Sequence, residues 1–372
     1  MISSDRKITV GILFGGKSAE HEVSLQSAKN VYDAIDRDRF EPVLIGIDKS
    51  GKWHFMGNSL SLQNPGDPGR ISLDPCGEQA ALIPGNAGRI LAPQAPPPGH
   101  QPSFPMLDVV FPILHGPFGE DGTIQGLLKL AGVPFVGSGV LGSAAGMDKD
   151  VMKRLFRDAG IPIGKFLAFR SHDPMPPFEE IKAALGGPVF VKPANMGSSV
   201  GISKAHNGQE FISAVREAFQ YDSKIVVEEF IKGREIECAV LGNENPAASI
   251  PGEIIPSHDF YSYDAKYLDD KGAALEIPAK LDGMQVRRIQ ELSVKAFEVL
   301  CCEGLARVDF FVRENGAILI NEINTIPGFT RISMYPKLWE ASGTGYTELI
   351  SRLIELALER FGKEQKLVVC KV

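Results

Sequence analysis

The sequence predicts an α/β protein with a doubly wound N-terminal unit, and three observations lead there. The apolar run at residues 8–14 passes straight into Gly15-Gly16, and Ser24, Ala28, Val31 and Ile35 then recur at helical spacing. Strand, glycine turn and helix in that order open a doubly wound unit, in which ligands approach the loop after the strand. Further on, strand-like runs keep alternating with helical patterns, at 43–48, 107–114, 122–131, 208–219 and 283–301. Near the C-terminus, GLARVDFFVRENGAILINEINTIPG (304–328) reads as two strands joined at Glu314-Asn315-Gly316, a turn signal.

Composition narrows the class. A chain of 372 residues has room for two or three domains, at roughly 100–200 residues each. An apolar fraction of 44% and a charged fraction of 23% are those of a soluble globular protein. A net charge of -7 argues against a general nucleic-acid binder, which needs a basic face. No apolar run approaches the ~20 residues of a membrane span. The opening MISSDRKITVGILFGG lacks the apolar region of a signal peptide. Five cysteines, an odd number with no C-x-x-C among them, fit a reduced, cytoplasmic protein.

The hairpin at 304–328 carries the strongest chemical signal. Arg307 and Asp309 lie two apart and share one strand face, as do Glu322 and Asn324 on the return strand. Two carboxylates brought close repel, and one takes up a proton unless a cation lies between them. Oxygen-only donors beside an open loop suit Mg²⁺, usually held by one or two carboxylates plus substrate phosphates. The alternative is an ion pair of Arg307 with Asp309 or Glu322.

The other elements follow in chain order. Glu20, His21 and Glu22 precede the first helix, where acids either complement its dipole or meet a substrate. No G-x-G-x-x-G is present, which disfavours a dinucleotide site. Residues 65–105 hold ten of the 26 prolines and form an irregular insertion with a small hairpin at 80–91. HGPFGEDGTIQG, after the strand at 107–114, is a cleft loop in which His115 is either a substrate contact or a polar strand end. A short strand is expected at 134–137 and a domain boundary in the glycine- and serine-rich 137–146. Lys149 then opens a helix ended by Gly160, a position where a cation opposes the dipole. Lys192 ends a strand before Gly197-Ser198-Ser199-Val200-Gly201, a small-residue loop whose N–H groups can wrap phosphates, though it is no Walker P-loop. KIVVEEFI (224–231) is a strand carrying Glu228 and Glu229, and the next strand puts Glu235 and Glu237 on one face. Residues 257–272 hold three of the seven tyrosines (Tyr261, Tyr263 and Tyr267) in a polar loop of the kind that serves as a lid. GFTRISMYPKLWEASG reads as a second substrate loop, 346–361 as a closing helix, and the charged tail as a short strand.

Taken together and in order, GGKSAEHEVS, HGPFGEDGTIQG, GMDK, VKPANMGSSVGISK, EEFIKGREIECAVLG, FYSYDAKY, ARVDFF and NEINTIPGFTRISMYP resemble the D-alanine–D-alanine ligases, ATP-grasp enzymes of bacterial cell-wall synthesis. The resemblance covers most of the chain, least so the proline-rich insertion, and points to the longer A-type branch. It implies an α/β (α+β ATP-grasp) fold. An N-terminal doubly wound unit (1–140) would be followed by a central ATP-grasp subdomain (141–227) and a C-terminal one (228–372), clamping ATP between two antiparallel sheets.

The resemblance also implies roles. Asp309, Glu322 and Asn324 match the ligands of two Mg²⁺ (or Mn²⁺) ions, with Glu322 bridging. Lys149, Lys192 and the lid's Lys266 match lysines on the ATP phosphates, beside Ser198 and Ser199. Glu228 is expected at the adenine amino group with Glu229 and Ile231 alongside, and Glu235 at the ribose. Glu20 would hold the ammonium of the first D-alanine and form a hydrogen-bonded set with Ser198 and Tyr267. Arg307 and the Gly328 N–H would stabilise the oxyanion. Ser333, with Met334 beside it, would hold the second D-alanine, and His115 would lie near the first subsite. Tyr267 favours D-alanine over D-lactate as second substrate. The resemblance further implies a homodimer in the cytoplasm, with no nucleic-acid or membrane partner.

Overall fold

The structure is a computed structural model and describes residues 6–58, 62–65, 67, 70–74, 78–84, 90–91, 104–256 and 273–368. Its N-terminal strands are β1 (Ile8–Gly15), β2 (Phe40–Ile47), β3 (Trp53–Gly57), β4 (Leu62–Gln63), β5 (Ser72–Leu73), β6 (Glu78–Gln79), β7 (Ala81–Leu82), β8 (Ile90–Leu91) and β9 (Val109–Ile113), with helices α1 (His21–Ala34) and α2 (Thr123–Ala131). The main sheet runs β6-β3-β2-β1-β9. β1 is central and parallel to both β2 and β9, while β3 is antiparallel to β2. Alternate residues feed two cores: Val10, Ile12 and Phe14 face α1, whereas Leu13, Val43 and Ile45 face Leu128 and Ala131 of α2. Helices thus cover both faces, the doubly wound arrangement. In the proline-rich insertion β7 pairs with β8 as expected for 80–91.

Next come α3 (Val140–Met147), α4 (Lys149–Asp158), β10 (Phe166–Arg170), α5 (Phe178–Leu185), β11 (Val189–Pro193), β12 (Ser203–Ala205), α6 (Gly208–Ala218) and β13 (Lys224–Glu229). The strands form an antiparallel sheet in the order β10-β13-β11-β12. Asp148 caps α4 by accepting from the N–H groups of Asp150 and Val151, which offsets the unfavourable cation at Lys149. The last part contains β14 (Arg234–Gly242), β15 (Ala247–Ala248), β16 (Gly252–Pro256), β17 (Ala273–Glu276), α7 (Gly283–Val299), β18 (Gly304–Val312), β19 (Ile318–Asn324), α8 (Met334–Ala341) and α9 (Tyr346–Glu364). Its antiparallel sheet runs β17-β16-β14-β18-β19, with β15 on β14. Asp282 and Gln285 close a capping box at the start of α7. Among the described residues no helix is long and apolar enough to cross a membrane.

Four expectations change. Residues 140–147 form α3 rather than an open linker, because the small residues let the helix press on its neighbours: a Cβ on Gly142 would lie 2.6 Å from the Cys301 carbonyl oxygen. The strand at 134–137 shrinks to one parallel bridge, Phe135 with Val110. The segment after Gly328 is a loop only to Ser333 and then becomes α8, whose Tyr335, Leu338 and Trp339 are buried. Residues 365–368 leave α9 in turns without a strand, and 369–372 lie outside the described residues. Helix α9 also returns to the N-terminal sheet: Leu349, Ile350, Leu353 and Ile354 share one core with Val10, Ile12 and Leu25. Arg360 ties this joint by donating to the Phe135 and Gly137 carbonyls and pairing with Glu303 at 3.1 Å.

Candidate active site

The hairpin β18–β19 places Arg307 opposite Asn324 and Asp309 opposite Glu322. Between Asp309 and Phe310 the register slips by one, so Asn321 bulges out of β19 and Glu322 and Asn324 keep the face of Arg307 and Asp309. On the other side of β18, Glu237 of β14 lies opposite Asp309. Three carboxylates therefore stand in a row across three strands. Arg307 holds two of them, with Nε 2.8 Å from Asp309 Oδ1, Nη2 2.8 Å from Asp309 Oδ2, and Nε 2.9 Å from Glu237 Oε2. Lys149 Nζ stands 3.6 Å from Glu322 Oε2 and donates to the Met196 carbonyl at 2.7 Å.

Glu237, Arg307 and Glu322 line the floor of a cleft of about 990 Å³. Around it stand Glu20 and Glu120 from the N-terminal unit, Ser198 from the small-residue loop, and Gly328, Ser333 and Met334 after the hairpin. Ser198 Oγ donates to Glu20 Oε1 across this cleft. Ser198 and Ser199 both take positive φ (51° and 61°), an unusual conformation for residues with a Cβ, and it folds the loop over the cleft. Gly328 has no room for a side chain, since a Cβ would meet Ser333 Oγ at 2.7 Å. Ser333 Oγ itself accepts from the Thr330 N–H at 3.0 Å.

A second cleft, of about 1370 Å³, opens between the two antiparallel sheets. Phe190 and Lys192 of β11, Glu228 and Glu229 of β13, Ile231, Glu235 of β14, and Phe311 and Glu322 of the hairpin line it. Lys192 Nζ donates to Glu228 Oε2 at 2.8 Å and Lys153 Nζ stands 3.2 Å from Oε1. Burial pushes the Glu228 carboxyl up, but the two ammonium groups outweigh it and hold it down at about 2. Glu229 turns away to Arg313, at 3.1 Å. The two clefts share one wall: Lys149, Met196, Gly197, Ser198 and Glu322 line both.

The structure thus brings Glu20, Lys149, Lys192, Ser198, Ser199, Glu228, Glu229, Ile231, Glu235, Arg307, Glu322, Asn324, Gly328, Ser333 and Met334 to the walls of two joined clefts. Asp309 is held just behind, by Arg307. Lys266 and Tyr267 lie outside the described residues, as does the whole 257–272 loop. His115 lines neither cleft. It is buried behind the 326–329 loop, where Nδ1 faces the Ile326 carbonyl at 3.0 Å and Nε2 faces Ser27 Oγ at 3.1 Å. A carbonyl only accepts, so Nδ1 carries the proton, Ser27 donates to Nε2, and Ser27 Oγ accepts from the Phe329 N–H at 3.2 Å. Glu120 and Lys153 were not singled out by sequence reasoning, and Glu237 was noted only as sharing a strand face with Glu235. The acids of HGPFGED and the shared face of Glu235 and Glu237 were visible signals; Lys153 gave none, being one of four basic residues on α4.

Burial drives the His115 imidazole down to about 4, against the pull of the Ile326 carbonyl. Its folded value lies below the ordinary 6.5, so its contribution to stability is full above pH 6.5 and is lost as pH falls toward 4. We expect His115→Gln to lose less stability than the parent between pH 7 and 4.5, by about 2–3 kcal/mol. Urea unfolding at both pH values measures this, and equal losses would remove His115 as the titrating group.

Two antiparallel sheets closing on a lysine-lined cleft, with carboxylates and a guanidinium at its inner end, are the ATP-grasp arrangement. The chain matches the family descriptions "D-ala D-ala ligase N-terminus" over residues 9–138 and "D-ala D-ala ligase C-terminus" over 155–355. It is 57% identical over 363 residues to a D-alanine--D-alanine ligase of Oceanobacillus iheyensis, covering 97% of this chain and 98% of that one. It is 54% identical over 362 residues to D-alanine--D-alanine ligase A of Escherichia coli K12, covering 97% and 98%. Among solved structures, the D-alanine-D-alanine ligase of Coxiella burnetii superimposes with a TM-score of 0.81 at 36% identity, over 97% of this chain and 96% of that one. The VanG D-Ala:D-Ser ligase of Enterococcus faecalis does so with the same score and identity, over 95% and 100%. The chain belongs to the D-alanine–D-alanine ligase family.

Proposed function

We propose that this protein joins two D-alanines into D-alanyl-D-alanine with ATP, through a D-alanyl phosphate, to supply peptidoglycan precursor synthesis. The observation that carries this is the wall common to the two clefts. A nucleotide between the sheets and a carboxylate substrate in the inner cleft would meet at Lys149, Ser198 and Glu322. Phosphoryl transfer between them is chiefly positioning and charge stabilisation.

In this reading Glu228 accepts the adenine amino group with Glu229 and Ile231 beside it, and Glu235 takes the ribose hydroxyls. Lys149, Lys192, Ser198, Ser199 and the lid's Lys266 hold the phosphates. Glu20 holds the ammonium of the first D-alanine and joins Ser198 and Tyr267 in one hydrogen-bonded set. The first carboxylate attacks the γ-phosphorus and ADP leaves. The amine of the second D-alanine, its carboxylate held at Ser333 beside Met334, then attacks the acyl carbon. Arg307 and the Gly328 N–H stabilise the oxyanion before phosphate departs. His115 acts from behind, fixing the loop that carries Gly328.

The donor set at the hairpin fits divalent metal. Asp309 and Glu322 lie opposite each other, Asn324 follows two residues on along the same face, and all three can supply oxygen ligands. Among the described residues no group of three or more His, Cys, Asp or Glu is placed to hold an ion. Two carboxylates and a carboxamide that leave positions for phosphate oxygens suit two Mg²⁺ or Mn²⁺ ions, which would offset phosphate charge when bound. For Asp309 to serve, Arg307 must loosen its bidentate grip, which turns the guanidinium toward the substrates. The reading includes domain limits at 1–140, 141–227 and 228–372, a cytoplasmic location, and a homodimer testable by sedimentation equilibrium.

The test is phosphate release with ATP and Mg²⁺, with D-alanine alone, with D-serine or D-lactate added, and with L-alanine in place of D-alanine, products being identified by mass. Release that requires D-alanine and yields the D,D-dipeptide supports the reading. A mixed product with D-serine would favour a second reading, a ligase with another second substrate, which the likeness to VanG keeps in view. Nucleotide binding without turnover would favour a regulatory protein instead.

A further inference from the structure

Glu228 faces two lysines from different elements, Lys192 on β11 at 2.8 Å and Lys153 on α4 at 3.2 Å. The three side chains are almost wholly buried, at 10% exposure for Glu228, 12% for Lys192 and 3% for Lys153. Both cations face the one Glu228 carboxylate, and the charge of Glu322 acts on both of them and that of Glu235 on Lys192. The lysines differ in what else holds them. Lys153 Nζ also donates to the carbonyl of Asn321 at 3.1 Å, the residue that bulges out of β19. That second bond pins Lys153 between α4, β13 and β19. Lys192 stands at the strand end beside the small-residue loop, and Glu228 is its hydrogen-bond acceptor.

We infer that Lys153 is the resident counter-cation of Glu228 and that Lys192 is the one that moves, leaving for the phosphates while Lys153 keeps Glu228 anionic as acceptor for a 6-amino purine. This deepens the nucleotide reading given above and rests on it. An ionised carboxylate accepts from the 6-amino group of adenine and repels a 6-oxo group. A buried carboxyl left without a cation takes up a proton, and a protonated carboxyl donates to a 6-oxo group. Lys153 is therefore a positioning residue for base selectivity: it touches the residue that reads the base, and Lys192 serves the phosphates.

The test is calorimetric binding of ADP and of inosine 5′-diphosphate, with Mg²⁺ and no D-alanine, to the parent protein, Lys153→Met and Lys192→Met. The parent should prefer ADP. Lys153→Met should cut that preference by about tenfold or more, the scale of one buried hydrogen bond to a charged group. Lys192→Met should weaken both diphosphates alike and leave the preference within about threefold of the parent, a small fraction of that effect. A parent preference retained in Lys153→Met with both affinities lowered together would overturn the inference and leave Lys153 as a prop for the β19 bulge. Loss of preference in Lys192→Met would overturn it equally, and that variant decides the matter if Lys153→Met does not fold. A parent that binds neither diphosphate would instead fail the nucleotide reading, whereas a parent that binds both without preference would fail the role of Glu228.

Discussion

Glu322→Gln is expected to lower kcat by about 10³-fold or more, the several kcal/mol that charge stabilisation at a transferring phosphoryl group supplies. The side chain lines both clefts and lies opposite Asp309, so among the described residues it is the one carboxylate placed to meet metal and phosphate from either side. The amide keeps size and hydrogen bonding but loses the charge. Stability should stay close to the parent's, since the amide fills the same space and removing one of three aligned carboxylates offsets the lost attraction to Lys149, 3.6 Å away. The measurements are steady-state kinetics over a Mg²⁺ series and a thermal melt. A loss that high Mg²⁺ fully restores locates the defect in metal affinity; near-normal kcat at ordinary Mg²⁺ would remove the hairpin as the metal site.

Arg307→Met should cost about 10²–10³ in kcat, the usual loss on deleting one oxyanion donor. Here stability should fall as well. The guanidinium holds both Asp309 and Glu237, which face each other across β18 and β14, and Glu237 is only 6% exposed. Removing one partner of a buried pair costs ~3–5 kcal/mol, and the partial exposure of this cluster lowers that to about 2–3 kcal/mol. The loss should shrink as pH falls, because protonating one carboxylate relieves the repulsion that the guanidinium had screened. Mg²⁺ should recover part of the melting temperature without restoring turnover. A variant as stable as the parent at every pH would show that Arg307 does not balance this row.

Much of the site was legible because it is local. Period-two alternation pairs Arg307 with Asp309 and Glu322 with Asn324, but the two pairs share one face only through the bulge: the register at Val312 and Ile318, continued unbroken, would set Glu322 opposite Val308. The small-residue loop at 197–201 and Lys192, the last residue but one of β11, are likewise set by neighbours in sequence. Asn321 was not legible: alternation ignores a bulge, and the slip appears only once β18 imposes its own register. Helix α3 was hidden because Gly142, Ser143 and Gly146 are turn-formers by propensity, while close packing requires Gly142 against the 301–302 backbone and Gly146 against Thr325.

The sequence by itself determined the class of fold, the order of the elements and the kinds of groups brought to the hairpin, since these follow from periodicity, turn chemistry and motifs read along the chain. Only the tertiary structure decided which of those groups meet. Lys153 reaches Glu228 from 75 residues away, His115 reaches Ile326 from 211, and α9 completes the N-terminal core. Such contacts come from packing separate elements together, and the pairing of two buried side chains depends on geometry that no local pattern records.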